Sequence, residues 1–278
     1  IYRKTNDVVN GEDEFADFEA ISGYAKESIS AMYQLGVLRG YEDGKFYPKK
    51  NITRAEGAVM IYNLLCEILK NKYIKNRRII MIGIICAMDE ELEVVLKLMK
   101  DTKKETRYNF NFFIGTINDV SCCAVKCGVG KVNSAICTQT IILVYKPNFI
   151  LNIGVAGALK ENINISDVVI AENVVQHDFD VSAFPGRRKG EICGIDLVKI
   201  PCSKWLTQKI IQSAEKIKNI SIHKGTILTG DQFINSSEKL IELRKTFDGT
   251  ACEMEAGSVG HVCYYNGVDF AIIRSISD

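Results

Sequence analysis

The run Ile79-Ile80-Met81-Ile82-Gly83-Ile84-Ile85-Cys86-Ala87, followed at once by Met88-Asp89-Glu90-Glu91-Leu92-Glu93-Val94-Val95-Leu96, decides how most of this chain is read. A continuous apolar run with β-branched residues predicts a strand buried on both faces. The acids that follow fall in the first turn of a helix, where the helix dipole favours negative charge. A buried strand feeding a helix is the repeating unit of an α/β fold.

The alternation continues toward the C-terminus. Phe110–Ile117 and Val120–Lys126 predict a hairpin about Asn118-Asp119. Gly128-Val129-Gly130-Lys131 leads into a helix over 131–145, and Pro147 opens a strand over 148–153. A Gly154-Val155-Ala156-Gly157 turn, a strand over 167–175 and a helix over 205–218 come next. A strand over 223–228, the turn Thr229-Gly230-Asp231, helices over 236–247 and 255–266 and a strand over 269–276 complete the unit. The fold class predicted is α/β, a mostly parallel central sheet flanked by helices on both faces.

In the other direction, Asn71–Arg78 is basic and polar and reads as a linker, so a first unit occupies residues 1–75 and a second begins at 79. In the first unit, Ser22–Leu35 carries Tyr24, Ala25, Ile29, Met32 and Tyr33 at helical spacing, with Gly36 as a C-cap. A Gly- and Pro-punctuated loop, Leu38–Pro48, follows. Thr53, with Glu56 three residues on, forms a capping box for a helix over 54–70.

Composition narrows the function. The 278 residues carry a formal charge of +1, which gives no electrostatic footprint for nucleic acid. No apolar run approaches the roughly 18 residues of a membrane span. The chain begins at Ile1, so an upstream leader is an expectation for it. Many of its ten cysteines, including Cys122, Cys123, Cys137 and Cys263, lie inside apolar runs, as small buried hydrophobes in a reducing compartment would. No CxxC pair or Cys/His spacing suggests a metal.

Several motifs carry little. Gly128-Val129-Gly130-Lys131 lacks the spacing of a triphosphate loop, since Val132 follows the lysine. His177-Asp178-Phe179-Asp180 supplies too few ligands for a metal and reads as a hydrogen-bonded loop. With three histidines and no G-x-S-x-G, a Ser/His/Asp triad has no support. More informative are Glu91, Glu253, Glu255 and Asp278, which lie next to strand ends of one sheet, where α/β proteins place their ligands.

Two resemblances sharpen this reading. Gly40-Tyr41-Glu42-Asp43-Gly44-Lys45-Phe46-Tyr47-Pro48 and Ile52-Thr53-Arg54-Ala55-Glu56 resemble the surface-layer homology (SLH) module, over a core of residues 15–70. The resemblance implies a small all-α module that binds cell-wall polysaccharide, and such modules usually act in sets of three. Arg54 and Glu56 read equally as helix-capping charges and as ligand contacts.

From Ile82 onward the chain resembles the methylthioadenosine/S-adenosylhomocysteine nucleosidases of the purine nucleoside phosphorylase superfamily. The resemblance rests on Gly83–Glu91, Cys127–Val132, Asn152–Gly157, Thr229–Asn235, Glu253–Ala256 and Arg274–Asp278, six motifs in order. It implies a mixed central sheet and release of adenine from a nucleoside by hydrolysis, with no cofactor and no metal. Glu91 would activate water and Asp278 would protonate the leaving base. Glu255, beside Met254, would hold the ribose hydroxyls with Arg274 in support. Phe233 would stack on adenine while the Ile234 backbone reads its edge, and Gly157, Val129 and Ser277 would line the site. Val181 and Phe184 match residues that reach a neighbouring subunit's alkylthio pocket, which implies a homodimer.

The chemistry agrees with these residue types, because breaking an N-glycosidic bond needs one carboxyl to donate a proton and another to handle water. The acidic turn Asp89-Glu90-Glu91 would repel phosphate, which favours hydrolysis over phosphorolysis. Val155 stands where the family usually has a small polar residue, so one hydrogen bond is expected to be lost. Family members continue past this aspartate into a final helix. The domain over 79–278 is therefore expected to lack that helix, leaving Asp278 poorly held and solvated and the enzyme weak. The rival class is a wall-binding SLH protein with an inactive second domain. Cysteines and metabolite substrates point to the cytoplasm, and the SLH module points to the cell surface for a chain with an upstream leader.

Overall fold

The computed structural model describes residues 16–20, 44–45, 81–217 and 221–278. The chain clusters into two units, Ile1–Lys50 and Asn51–Asp278. In the first, a 3-10 turn spans Phe18–Ala20, and the Ala16 N–H donates to the Gly44 carbonyl at 2.9 Å. The helices expected over 22–35 and 54–70, most of the loop between them, the linker and the boundary at 79 lie outside the described residues.

In the second unit, β1 (Ile82–Cys86) leads to α1 (Asp89–Leu98), β2 (Lys100–Arg107), β3 (Phe110–Ile117) and β4 (Val120–Lys126). Then come α2 (Lys131–Tyr145), β5 (Phe149–Ala158), β6 (Val168–Gln176), β7 (Ile200–Pro201) and α3 (Lys204–Ala214). The order ends β8 (Ile222–Thr229), α4 (Ser237–Phe247), β9 (Gly249–Glu253), α5 (Ala256–Asn266) and β10 (Asp269–Ile276).

All five residues of β1 are buried, as its composition requires. Side chains alternate across a strand, and here the two sets enter different cores. Ile82 and Ile84 meet Leu92 and Val95 of α1 and Leu206 and Ile210 of α3. Ile85 belongs with Cys137 and Ile141 of α2 and Val259 and Cys263 of α5. Helices therefore cover both faces. Each such isoleucine contributes about 1.5–3 kcal/mol by leaving water.

Among the described residues the strands form one ten-stranded sheet in the order β10-β6-β8-β9-β5-β1-β4-β3-β2, with β7 beside β6. A further pairing of β10 with β5 closes β5, β10, β6, β8 and β9 into a ring. From β5 the strands β1, β4, β3 and β2 extend as an open wing.

The strand–helix alternation alone predicts mostly parallel pairing; the sheet is instead mixed, as the nucleosidase resemblance implies. β1–β4, β1–β5, β5–β10, β6–β8 and β8–β9 run parallel, while β2–β3, β3–β4, β6–β10, β5–β9 and β6–β7 run antiparallel. The turn expected at Gly154–Gly157 is also absent. Those residues continue β5, with Gly154 opposite Arg274, Ala156 opposite Ile276 and Gly157 opposite Cys252. Their glycines serve close approach rather than chain reversal.

Three strands had no forecast. β2 is exposed along its length and almost wholly polar, pairs with β3 through its backbone, and blunts that sheet edge with lysines. β7 spans two residues, and β9 is five residues of mostly small side chains. Helix α3 stops at Ala214, four residues before its expected end.

Candidate active site

The carboxyl ends of β1, β9 and β10 converge on residues 154–158 of β5. Ser277 N donates to the Ala156 carbonyl at 3.0 Å, Ala158 N donates to the Asp278 carbonyl at 2.8 Å, and Cys252 pairs with Gly157. Every candidate acid hangs from one of these ends.

Glu91 projects from the first turn of α1 and is buried. One carboxylate oxygen accepts the N–H groups of Ala87 at 2.7 Å and Met88 at 3.0 Å; the other accepts Val155 N–H at 3.2 Å. Burial pushes its carboxyl above the usual range, against the pull of Arg274 and the three N–H donors. A Cβ at Gly154 would sit 2.7 Å from Glu91 Oε1, so the glycine leaves room for a carboxylate that its donors keep from moving away.

Arg274 is among the largest fully buried side chains of the described residues and lies within β10. Its Nη2 donates to Glu253 Oε2 and to Asn152 Oδ1, both at 2.6 Å, and its Nη1 to the carbonyls of Asn152 and Ile273. The direct ionic partner of the arginine is thus Glu253, and its support of Glu255 runs through that residue. The reason lies in Glu253's other bonds. Its Oε2 also accepts the N–H groups of Glu255 at 2.9 Å and Ala256 at 2.8 Å, capping α5, and Thr229 donates to its Oε1. Four donors converge on this buried carboxylate, three of them on Oε2, so it holds structure together.

Glu255 is left as the buried acid with free capacity. It accepts Gly130 N–H at 2.8 Å, and the positive φ of 101° at Gly130 suits the turn that presents this donor. Burial first, and then the Glu253 charge, raise its carboxyl well above the ordinary range. Asp278 is exposed, and its Oδ2 lies 3.3 Å from where a Gly157 Cβ would be. Its side chain is solvated, as expected, while its backbone is tied: Ala158 N donates to its carbonyl, and the neighbouring Ser277 Oγ donates to its carboxylate at 2.6 Å.

Of the remaining candidates, Met254 is half-buried between Glu253 and Glu255, and Val129 is exposed at the mouth of α2. Phe233 is 64% exposed on the loop after β8, next to half-buried Ile234. This loop joins the acids through Asp231, whose carboxylate accepts Lys131 N–H at 2.7 Å beside Gly130. Val181 and Phe184 lie on the segment after β6, outside the acid cluster, with Phe184 66% exposed.

Two contributors carried no assigned role. Asn152 bridges Arg274 and the Ile85 carbonyl, and its signal was a lone amide inside an apolar strand. Asp178, in the loop read as hydrogen-bonded, accepts from Lys131 Nζ at 2.6 Å and Asp231 N at 2.9 Å.

Comparison with known proteins follows this geometry. A family model described as the phosphorylase superfamily matches residues 81–278, and one described as the S-layer homology domain matches residues 14–58. A 5'-methylthioadenosine/S-adenosylhomocysteine nucleosidase of Exiguobacterium is 36% identical over 198 residues, 71% of this chain and 84% of that protein. One of Staphylococcus aureus is 36% identical over 199 residues, 71% and 86% of the two chains. The crystal structure of the Neisseria meningitidis nucleosidase in complex with methylthio-immucillin-A superposes with a TM-score of 0.69 at 30% identity, covering 72% of this chain and 86% of that one. Futalosine hydrolase of Helicobacter pylori gives 0.67 at 33% identity, covering 72% and 85%.

Proposed function

Because the chain belongs to the phosphorylase superfamily from Met81 to Asp278, we propose that its second unit hydrolyses the N-glycosidic bond of 5'-methylthioadenosine and S-adenosylhomocysteine and releases adenine. The observation that carries this is the buried Glu91 carboxylate, held by three N–H groups and raised by burial, within the electrostatic reach of Arg274 and Glu255.

The reaction passes through a cationic, oxocarbenium-like sugar. Glu91 takes the proton of the attacking water, which a carboxylate with a raised proton affinity does better than an ordinary one. Asp278 delivers a proton to the leaving adenine, with Ser277 orienting its carboxyl. Glu255 accepts the ribose hydroxyls beside Met254, and Arg274 acts through Glu253 by fixing the start of α5. Phe233 and the Ile234 backbone take the base, next to Gly157 and Val129. Water rather than phosphate is the co-substrate, because Lys126, Lys131 and Arg274 are already paired with Asp89, Asp178 and Glu253.

The exposed apolar residues Val132, Ile136 and Leu143 on α2, with Phe184, support a homodimer in which Val181 and Phe184 complete the partner's alkylthio pocket. The match over 14–58 supports binding of cell-wall polysaccharide by the first unit, and with it a place at the cell surface; the buried thiols and metabolite substrates support the cytoplasm. The role implied for such an enzyme is methionine salvage. The test is adenine release from methylthioadenosine and S-adenosylhomocysteine in phosphate-free buffer. Adenine release that requires phosphate sinks hydrolysis, and no release from either nucleoside sinks the enzyme.

A further inference from the structure

The loop proposed to take adenine has little apolar hold on the domain: among residues 231–236 only Ile234 is even half-buried. Loops with few buried contacts open easily, so something else must fix its height above the ribose carboxylate. A polar relay does so. The Asp178 carboxylate places one oxygen on Lys131 Nζ at 2.6 Å and the other on Asp231 N at 2.9 Å. The Asp231 carboxylate then accepts Lys131 N–H at 2.7 Å, and the adjoining Gly130 N–H reaches Glu255 at 2.8 Å. The segment after β6 abuts the loop as well, since His177 N donates to the Thr229 carbonyl at 2.9 Å and a side chain at Gly230 would run into the buried His177 ring.

We propose that Asp178, acting through Lys131 and Asp231, is a positioning residue that sets the base-reading loop against Glu255 and thereby tunes nucleobase affinity. An exposed ion pair would contribute little, but the Lys131 and Asp178 side chains are only 18% exposed, and a charge-assisted bond to a backbone N–H adds to the pair. Partial burial works against the Asp178 charge, yet the bonds from Lys131 and Asp231 hold its carboxyl below the usual range. The inference rests on the nucleosidase reading for its kinetic arm alone.

Asp178→Asn keeps the shape, but its amide nitrogen cannot accept, so one of the two bonds is lost and the other loses its charge. In the full chain, hydrogen exchange of the peptide covering 229–236 should quicken about tenfold while β1 and β5 stay protected. KM for methylthioadenosine and Kd for free adenine should rise about tenfold, with kcat within about threefold. Lys131→Met should behave alike, and Lys131→Arg should recover most of the affinity. Unchanged exchange in 229–236, or equally faster exchange throughout the domain, overturns the positioning role. So does a fall in kcat with KM unmoved. A wild-type chain that releases no adenine defeats the nucleosidase reading, and the exchange measurement still decides the relay.

Discussion

Arg274 and Glu253 form an ion pair of 2.6 Å between side chains only 2% and 3% exposed. Removing one partner of such a pair leaves the other charged and dry. Arg274→Leu should therefore cost about 3–5 kcal/mol of unfolding free energy, read from urea titration by circular dichroism. A loss under about 1 kcal/mol would mean that Glu253 does not depend on the arginine.

The two assigned catalytic carboxyls separate from this structural pair. Glu91→Gln and Asp278→Asn should each lower turnover by about 10²-fold or more, the scale of general acid–base catalysis. Near-normal rates of adenine release in both would remove their assigned roles.

Gly154 tests whether Glu91 must be placed as found. Gly154→Ala would put a methyl 2.7 Å from Glu91 Oε1, and three N–H donors oppose its displacement. A misplacement approaching 1 Å costs about 10²-fold in rate. The expected result is loss of kcat in a folded protein; unaltered kcat would show that the carboxylate moves freely.

Stability should depend on pH through Glu255. Burial and Glu253 raise its carboxyl in the folded state, so the folded protein binds the proton more tightly than the unfolded chain does. Its contribution is greatest below the ordinary carboxylate range and declines as pH rises toward the raised value. Glu91 is shifted the same way and adds to the slope. Glu255→Gln should thus raise Tm at pH 8 by more than at pH 5, while turnover falls. Melting curves at the two values decide, and a gain no larger at pH 8 contradicts the assignment.

The apolar stripe on α2 predicts association. Ile136→Glu puts a charge among Val132, Ile136 and Leu143, and should turn a dimer into a monomer in sedimentation velocity, with weaker methylthioadenosine binding. A wild-type monomer at micromolar concentration would rule out the shared pocket.

Much of this was legible in the sequence, for identifiable reasons. The hairpin around Asn118-Asp119 and helix α2 fall at the predicted residues, because turn chemistry and apolar runs are local signals. Gly154–Gly157 misled because glycines within a strand carry the same letters as a turn, and only pairing with β10 and β9 distinguishes them. Arg274 could not be assigned between Glu253 and Glu255. They are two residues apart in the chain, and the choice depends on the register of β9 against β5 and on which acid caps α5. β2 had no apolar pattern to find.

The ring of β5, β10, β6, β8 and β9 also sets an order in time. Among the described residues β10 follows every other strand of the sheet along the chain, and it is the strand that pairs with both β5 and β6. Until it is synthesised, those two strands stand with bare edges, open to wrong pairing or to a chaperone. The same strand brings Arg274 and leads to Asp278. A nascent chain therefore gains its charge pair and its proposed acid only in the step that seals its edges.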